Sequence, residues 1–406
     1  MDYLGLLKLQ PQDKMALITD SRAYTYGQLV AEAEALRSTI TGRDRVLFIH
    51  EQLISKQLVY FIAYSGSKTV PIIATEASKG QSFSIEQVPA AACMGVMTSG
   101  STGQSKLLWR SYKSWADFFP EQNRIFGIDK KAVVFCQGSL AFTGNLSIYM
   151  GVFAAGGTIV ATEKFRPKHW QQLIKDHKVN GIYLIPSKLL LLAKFYQGPC
   201  EAIKFIISGS QSMGRQEADK LALAFPQADL TLYYGASELN YISYIKGESM
   251  TNDRTDIGLP FKGVQVAIAN EELYITTPYH IEGITMPFSL KDRGSISQDG
   301  HLHFLGRTDD ICSVNGRKIS SLKVEQALGE LPGVKEAAVL SIHKEDADYL
   351  VAYIAADKAY TKQELVQLLR QGFLEAYEIP HQFVFLTRLP RNESGKIDKL
   401  SLKGHK

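Results

Sequence analysis

Apolar residues recur along the chain at two periods. Leu29, Ala33, Leu36 and Ile40 stand at the spacing of one helix face and predict an amphipathic helix over 26–40. Short apolar runs at 15–19, 45–49 and 69–73 predict strands, with a helix-like stretch ending at Tyr64 between the last two. Further runs at 132–135, 158–161, 181–184 and 205–207 continue this alternation of strand and helix, the pattern of a mainly parallel sheet covered by helices. From Gly258 the texture changes to short alternating strands, such as 272–276 and 301–305, divided by Gly, Pro and Asp turns. Beyond Ile319 a helix (322–331), two strands (337–341 and 349–355), a helix (362–372) and a strand (382–385) predict a compact α+β unit. The expected fold is α/β: a large N-terminal domain of stacked αβ subdomains with a small β-rich subdomain, residues 1–308, then a small α+β domain, residues 309–406.

Composition narrows the function more than the fold. A chain of 406 residues, 45% hydrophobic, can bury a large core. Its net charge of +4, from 45 basic and 41 acidic residues, is too balanced to point to nucleic acid. The basic residues Arg388, Arg391, Lys396, Lys399, Lys403 and Lys406 read first as a solvated tail. Cys93, Cys136, Cys200 and Cys312 are scattered singly, which argues against a disulfide scaffold or a zinc site and fits a reducing cytoplasm. The start lacks the regions of a signal peptide, and no apolar run reaches the ~18 residues of a membrane span. A cytoplasmic protein is expected.

The stretch MTSGSTGQSK, Met97–Lys106, offers hydroxyls, glycines and a closing lysine. It is not a Walker loop: Ser105 stands where that loop has Gly, Leu107 where it has a hydroxyl, and the following LLWRS reads as a strand instead of a helix. Alone it is either a phosphate grip built from backbone amides, hydroxyls and Lys106, or a plain Ser/Gly turn.

More motifs follow in order: YYGASE (Tyr233–Glu238), DIGLPFKG ending at Gly263, FSLKDRG (Phe288–Gly294), GRTDDICSVNGRKI (Gly306–Ile319), YEIP (Tyr377–Pro380) and LPRNESGKI (Leu389–Ile397). Together with the loop they cover nearly the whole chain and resemble the adenylate-forming superfamily, which includes acyl-CoA and aryl-CoA synthetases, luciferases and peptide-synthetase adenylation domains. The chain looks like a short acyl-CoA synthetase-like member. The resemblance implies that a carboxylic acid and ATP form acyl-AMP and pyrophosphate with Mg2+, after which the acyl group passes to a thiol of coenzyme A or of carrier-protein phosphopantetheine. Two anions meet at the α-phosphorus, so the site must supply positive charge and fixed donors. By resemblance, Thr98, Ser99, Gly100, Ser101, Thr102, Gly103 and Lys106 hold phosphates, and Glu238 binds Mg2+. Tyr234 stacks on adenine beside Gly209, Ser210 and Gly235, Asp292 takes the ribose hydroxyls, and Arg307 makes a neighbouring contact. Lys396 becomes the catalytic lysine, alongside Lys106 and Glu238. Asp309 is the hinge of a mobile C-terminal domain, and Gly316 lies on the thiol tunnel.

The departures carry information too. Besides Ser105 in place of the family's usual proline and Leu107 in place of its glycine, FSLKDRG has Leu290 and Lys291 where the family usually has Thr-Gly before the Asp. The short connection between 73 and the loop implies a shortened N-terminal region. Phe142, Gly235 and Ala236 are the expected acyl-pocket residues, with Met150 and Gly151 either pocket wall or plain packing. Amino-acid-activating relatives follow the position of Phe142 with an Asp that pairs the ammonium, whereas this chain has Thr143. A buried ammonium would go unpaired, so a fatty or aryl acid is expected and an α-amino acid is not. The HLH triplet at His301–His303 reads as a strand face in preference to a metal pair, and the tyrosines at 233, 234, 241 and 244 as core and pocket wall. Two rivals stand beside the CoA ligase: an enzyme that loads a carrier protein, and a catalytically weakened nucleotide-binding module. A homodimer is left open.

Overall fold

The computed structural model describes residues 2–40, 45–75, 78, 83, 85, 87–99, 105–308, 311–314, 317–344, 347–371, 374–391 and 397–403. The chain forms two compact units, Met1–Gln265 with Ile275–Phe288, and Val266–Tyr274 with Ser289–Lys406.

In the first unit the expected alternation becomes β1 (Met15–Thr19), β2 (Ala23–Thr25), β3 (Val46–Ile49), β4 (Val70–Ile73), β5 (Ala92–Ser99), β6 (Ser105–Ser111), β7 (Val133–Gln137), β8 (Thr158–Thr162), β9 (Gly181–Tyr183), β10 (Phe205–Gly209), β11 (Asp229–Ala236), β12 (Asn240–Lys246) and β13 (Asp256–Pro260). One sheet runs β13-β12-β11-β10-β9-β7-β8-β1-β2. Strands β1, β8, β7, β9, β10 and β11 are parallel to their neighbours in that run, and antiparallel strands flank them. The chain leaves β7 through the helix Thr143–Ala154 to β8 on one side, then returns through the helix Pro167–Asp176 to β9 on the other. Connections therefore diverge between β7 and β9, and open α/β sheets bind ligands outside the carboxyl ends of strands at such a point. The core behind it is apolar: Phe135, Val160, Trp170, Leu184 and Ile206 are all buried in one cluster. A second, four-stranded sheet runs β3-β4-β5-β6, parallel as far as β5 and closed by the antiparallel β5–β6 pair.

The second unit holds β14 (Gln265–Ala269), β15 (Glu272–Thr276), β16 (Phe288–Ile296) and β17 (Leu302–Arg307), adjacent in that order. The hairpin β18 (Ile311–Val314) and β19 (Arg317–Ser320) leads to a sheet of β20 (Val334–Lys344), β21 (Ala347–Ala356) and β22 (Gln382–Phe385). The helices Ser321–Gly329 and Lys362–Gln371 give Val324, Leu328, Leu365 and Leu369 to the core they share with Val339, Leu350 and Ile354. Two residues read as solvated tail are paired here: Arg391 with Glu336, and Lys399 with Glu325 at 2.9 Å. Among the described residues no helix is long and apolar enough to cross a membrane.

Candidate active site

The phosphate-loop candidate is the tip of a β-hairpin. Cys93, Met94, Val96 and Met97 bury strand β5, and the register sets Thr98 opposite Lys106 and Ser99 opposite Ser105. Lys106 is exposed and Thr98 half-buried, both at the loop end of the hairpin. Gly100, Ser101, Thr102 and Gly103 lie outside the described residues. The lysine sits on a strand and not at a helix start, as the LLWRS pattern implied. Leu107, unusual at its position, has a structural reason. A side chain at Gly95 would meet Ile72 at 2.6 Å and Leu107 at 3.1 Å, so Leu107 and the neighbouring strand close over a glycine.

Four residues beyond Lys106, the same strand carries a residue that sequence reading passed over. Arg110 is fully buried. Its Nε and Nη2 donate to the Ser237 carbonyl at 3.1 and 2.7 Å, and its Nη1 donates to Ser114 Oγ and the Tyr279 carbonyl, both at 3.1 Å. The guanidinium also lies over the Trp115 ring, 5.7 Å from its centroid. Burial pulls its pKa down to about 10, opposed by the negative potential of Tyr3 and Glu238 among others, so it stays charged at neutral pH. Glu238, next to Ser237, is half-buried on the turn between β11 and β12. Its carbonyl accepts from the Ile281 amide at 2.9 Å, and the Glu282 amide donates back to Trp109 at 2.8 Å. The strand bearing Lys106 and the turn bearing Glu238 are thus tied through one buried cation and a short backbone ladder.

The end of β11 is shaped by close backbone approach. Ladder register shifts between Tyr234 and Gly235, and a Cβ on Gly235 would lie 2.5 Å from the Asn240 carbonyl oxygen. Tyr234 and Ala236 are half-buried and Gly235 is exposed. Gly209 pairs with Tyr233, whose ring carbon would be 2.5 Å from a Cβ there, and Ser210 turns the chain at φ 68°. Phe142 caps the helix Thr143–Ala154 at the carboxyl end of β7, and Thr143 Oγ1 accepts from Ser237 Oγ at 3.3 Å.

Asp292 and Arg307 lie in the second unit, opposite each other on β16 and β17 with Arg307 Nε 3.5 Å from Asp292 Oδ1. Asp292 is buried, and Arg307 also donates to the Leu290 carbonyl at 3.2 Å. Lys291 adopts φ 64°, the left-handed conformation suited to the glycine usual there. Asp309, Gly316 and Lys396 lie outside the described residues.

Residues 43–280 match the family of AMP-binding enzymes, and residues 323–396 match the AMP-binding enzyme C-terminal domain. The chain belongs to the AMP-binding enzymes. An uncharacterized acyl-CoA ligase of Bacillus subtilis is 28% identical over 330 residues, 75% of this chain and 67% of that protein. A D-alanine–D-alanyl carrier protein ligase of Lactococcus lactis is 26% identical over 347 residues, 76% of this chain and 68% of its own. In fold, this AMP-binding enzyme superposes on the o-succinylbenzoate CoA synthetase of Bacillus subtilis in complex with ATP and magnesium, with TM-score 0.82, 18% identity and 99% of both chains covered. It is an adenylate-forming acid ligase.

Proposed function

We propose that this enzyme joins a fatty or aryl acid to ATP, releases pyrophosphate, and passes the acyl group to a thiol, coenzyme A first. The observation that carries the reading is the buried Arg110 bridge, which puts the Lys106 strand and the Glu238 turn on one rigid frame. Residues 98–103 and Lys106 hold the β- and γ-phosphates in it. Tyr234, Gly235, Gly209 and Ser210 take the adenine, Asp292 and Arg307 the ribose side, and Phe142, Gly235 and Ala236 border the acid. The acid carboxylate attacks the α-phosphorus and pyrophosphate leaves, with Lys396 neutralising the charge shared by attacking and ribose-phosphate oxygens. Asp309 then serves as the hinge between residues 1–308 and 309–406, bringing Gly316 to the thiol path.

The donor set fits Mg2+. Among the described residues Glu238 makes no hydrogen bond or ion pair through its carboxylate, and no three acidic, His or Cys residues gather as a metal cage. One hard carboxylate plus substrate phosphates and water is how this ion is usually held. When bound it neutralises phosphate charge. Thr143, with a serine and not a carboxylate beside it, leaves nothing at that position to pair an ammonium.

Acid-dependent pyrophosphate exchange tests the first half-reaction, and its absence with every acid would leave only a nucleotide-binding module. Thiol transfer to free CoA, compared with transfer to a phosphopantetheinylated carrier protein, tests the second. The carrier-protein ligase among the relatives supports the latter acceptor as the alternative. Lys396→Ala should lower adenylation strongly while sparing thiolysis of supplied acyl-AMP. Equal loss of both steps contradicts its role. ATP and a reduced thiol as reactants favour a cytoplasmic setting.

A further inference from the structure

The face of the helix Thr143–Ala154 that begins at Phe142 carries Gly144, Ser147 and Gly151, three small residues on one side. Small side chains on one helix face leave space beside it. In the structure that space is filled, and filled by polar groups. A Cβ on Gly144 would collide with the Tyr183 hydroxyl and lie 3.0 Å from the Phe142 ring and 3.2 Å from the Tyr233 hydroxyl. A Cβ on Gly151 would collide with the Gln122 side-chain amide. Between them, Ser147 faces the Tyr241 hydroxyl.

The two phenols at Gly144 form a pair, Tyr183 Oη to Tyr233 Oη at 2.8 Å, at the carboxyl ends of β9 and β11. Tyr183 is the last residue of β9, paired in register with Cys136 of β7, so it stands at the point where the sheet's connections diverge. Burial pushes the Tyr183 phenol well above its ordinary pKa and that of Tyr233 to about 12, so both keep their protons at neutral pH. One O–H of such a pair is donated to the other oxygen, and the second remains for Ser210 or for a ligand. Deeper along the stripe, Gln122 Oε1 is buried without a hydrogen-bond partner, and the buried Ser147 and Tyr241 hydroxyls have only each other. These groups are desolvated already, so an alkyl chain seated against them would offer no partner, whereas a hydroxyl could pair with them.

We propose that the acid activated here is compact and carries a hydroxyl or similar hydrogen-bonding group at the end remote from its carboxylate, with long alkyl acids excluded. The Tyr183–Tyr233 pair is the floor that selects it, beneath the Phe142, Thr143 and Ser237 mouth. This rests on the acid-activating reading above, and it narrows the fatty-or-aryl expectation.

The test is pyrophosphate exchange by the full chain with hydroxybenzoates, short hydroxy acids, their deoxy analogues, dodecanoate and hexadecanoate. The best compact hydroxylated acid should exceed dodecanoate in kcat/KM by about 100-fold or more, and its own deoxy analogue by about tenfold or more. Tyr183→Phe keeps the ring and removes the hydroxyl, and should cut the preference for the hydroxylated acid about tenfold while leaving KM for ATP unchanged. Preferred use of dodecanoate or hexadecanoate by the parent enzyme overturns the proposal and leaves acid activation standing. So does a hydroxyl preference that survives in both Tyr183→Phe and Tyr233→Phe. Exchange with no acid at all overturns the acid-activating reading, and the selection with it.

Discussion

The chain departs from the usual family pattern beside the phosphate loop and again before Asp292, and the two places absorb the departure by different means. In the first unit Leu107 packs over Gly95, and the strand continues into the fully buried Arg110 with its four hydrogen bonds. In the second unit Lys291 stands in a left-handed position, its amide held by Ser289 Oγ at 2.9 Å and its ammonium by Glu272 at 3.0 Å. The Lys291 side chain is 58% exposed. A buried cation with all its partners fixed resists substitution because every partner is stranded when it goes. An exposed ion pair contributes little, since solvent replaces it readily. How far a residue departs from a family pattern therefore says less about its importance than what surrounds it.

The comparison breaks first at Arg110. Arg110→Met strands the Ser237 and Tyr279 carbonyls and should cost about 3 kcal/mol or more of stability, read as a lower urea midpoint at unchanged m value. Arg110→Lys keeps a charge but cannot span the same carbonyls, so it should fold less stably than the parent and show a raised KM for Mg·ATP through a displaced Glu238 turn. A merely structural role would lower stability and leave that KM alone. If Arg110→Met matches the parent midpoint, the bridge is not what fixes the frame.

Lys106 sharpens the contrast on the same strand. It is exposed, so Lys106→Ala should leave stability within about 0.5 kcal/mol, yet pyrophosphate exchange should fall about 100-fold if it holds developing phosphate charge. Unchanged exchange would remove the loop from the chemistry. In the second unit Asp292→Asn keeps the shape beside Arg307 while losing a charged acceptor. Its expected signature is a rise of about tenfold in KM for ATP with kcat changed less. A larger fall in kcat than in affinity would give Asp292 another role.

Most elements were legible because their patterns are local. Leu29, Ala33 and Leu36 announce the helix Tyr26–Ser38, and its capping box, Thr25 with Gln28, lies within four residues. The β5–β6 hairpin and its lysine were readable from the LLWRS strand pattern for the same reason. Arg110 was not, because an arginine in a strand reads as an exposed edge residue until two carbonyls 127 and 169 positions away are seen to converge on it. Tyr183 was missed similarly. Its hydroxyl meets Tyr233, 50 residues on, and the space between exists only because residue 144 is glycine. The one available signal was the small-residue stripe at 144, 147 and 151, which gives the gap but not what fills it.

The smallest expected effect belongs to Lys291, and its sign is the informative part. A left-handed residue with a Cβ costs roughly 1–2 kcal/mol relative to right-handed backbone, and glycine escapes that cost. Against this, Lys291→Gly gives up the Glu272 contact, worth at most about 1 kcal/mol at such exposure, and gains unfolded-state freedom that opposes folding. The Ser289 hydroxyl still accepts from the backbone amide, so the turn itself survives. The net expectation is a stabilisation of about 0.5 kcal/mol, seen as a slightly higher urea midpoint, with KM for ATP unaltered because the Asp292–Arg307 register is set by the strand ladder. A destabilised variant would mean that the surface contacts at Lys291 hold the strand more firmly than their exposure allows. The second unit would then resemble the first, and the contrast between them would fail at its weaker end.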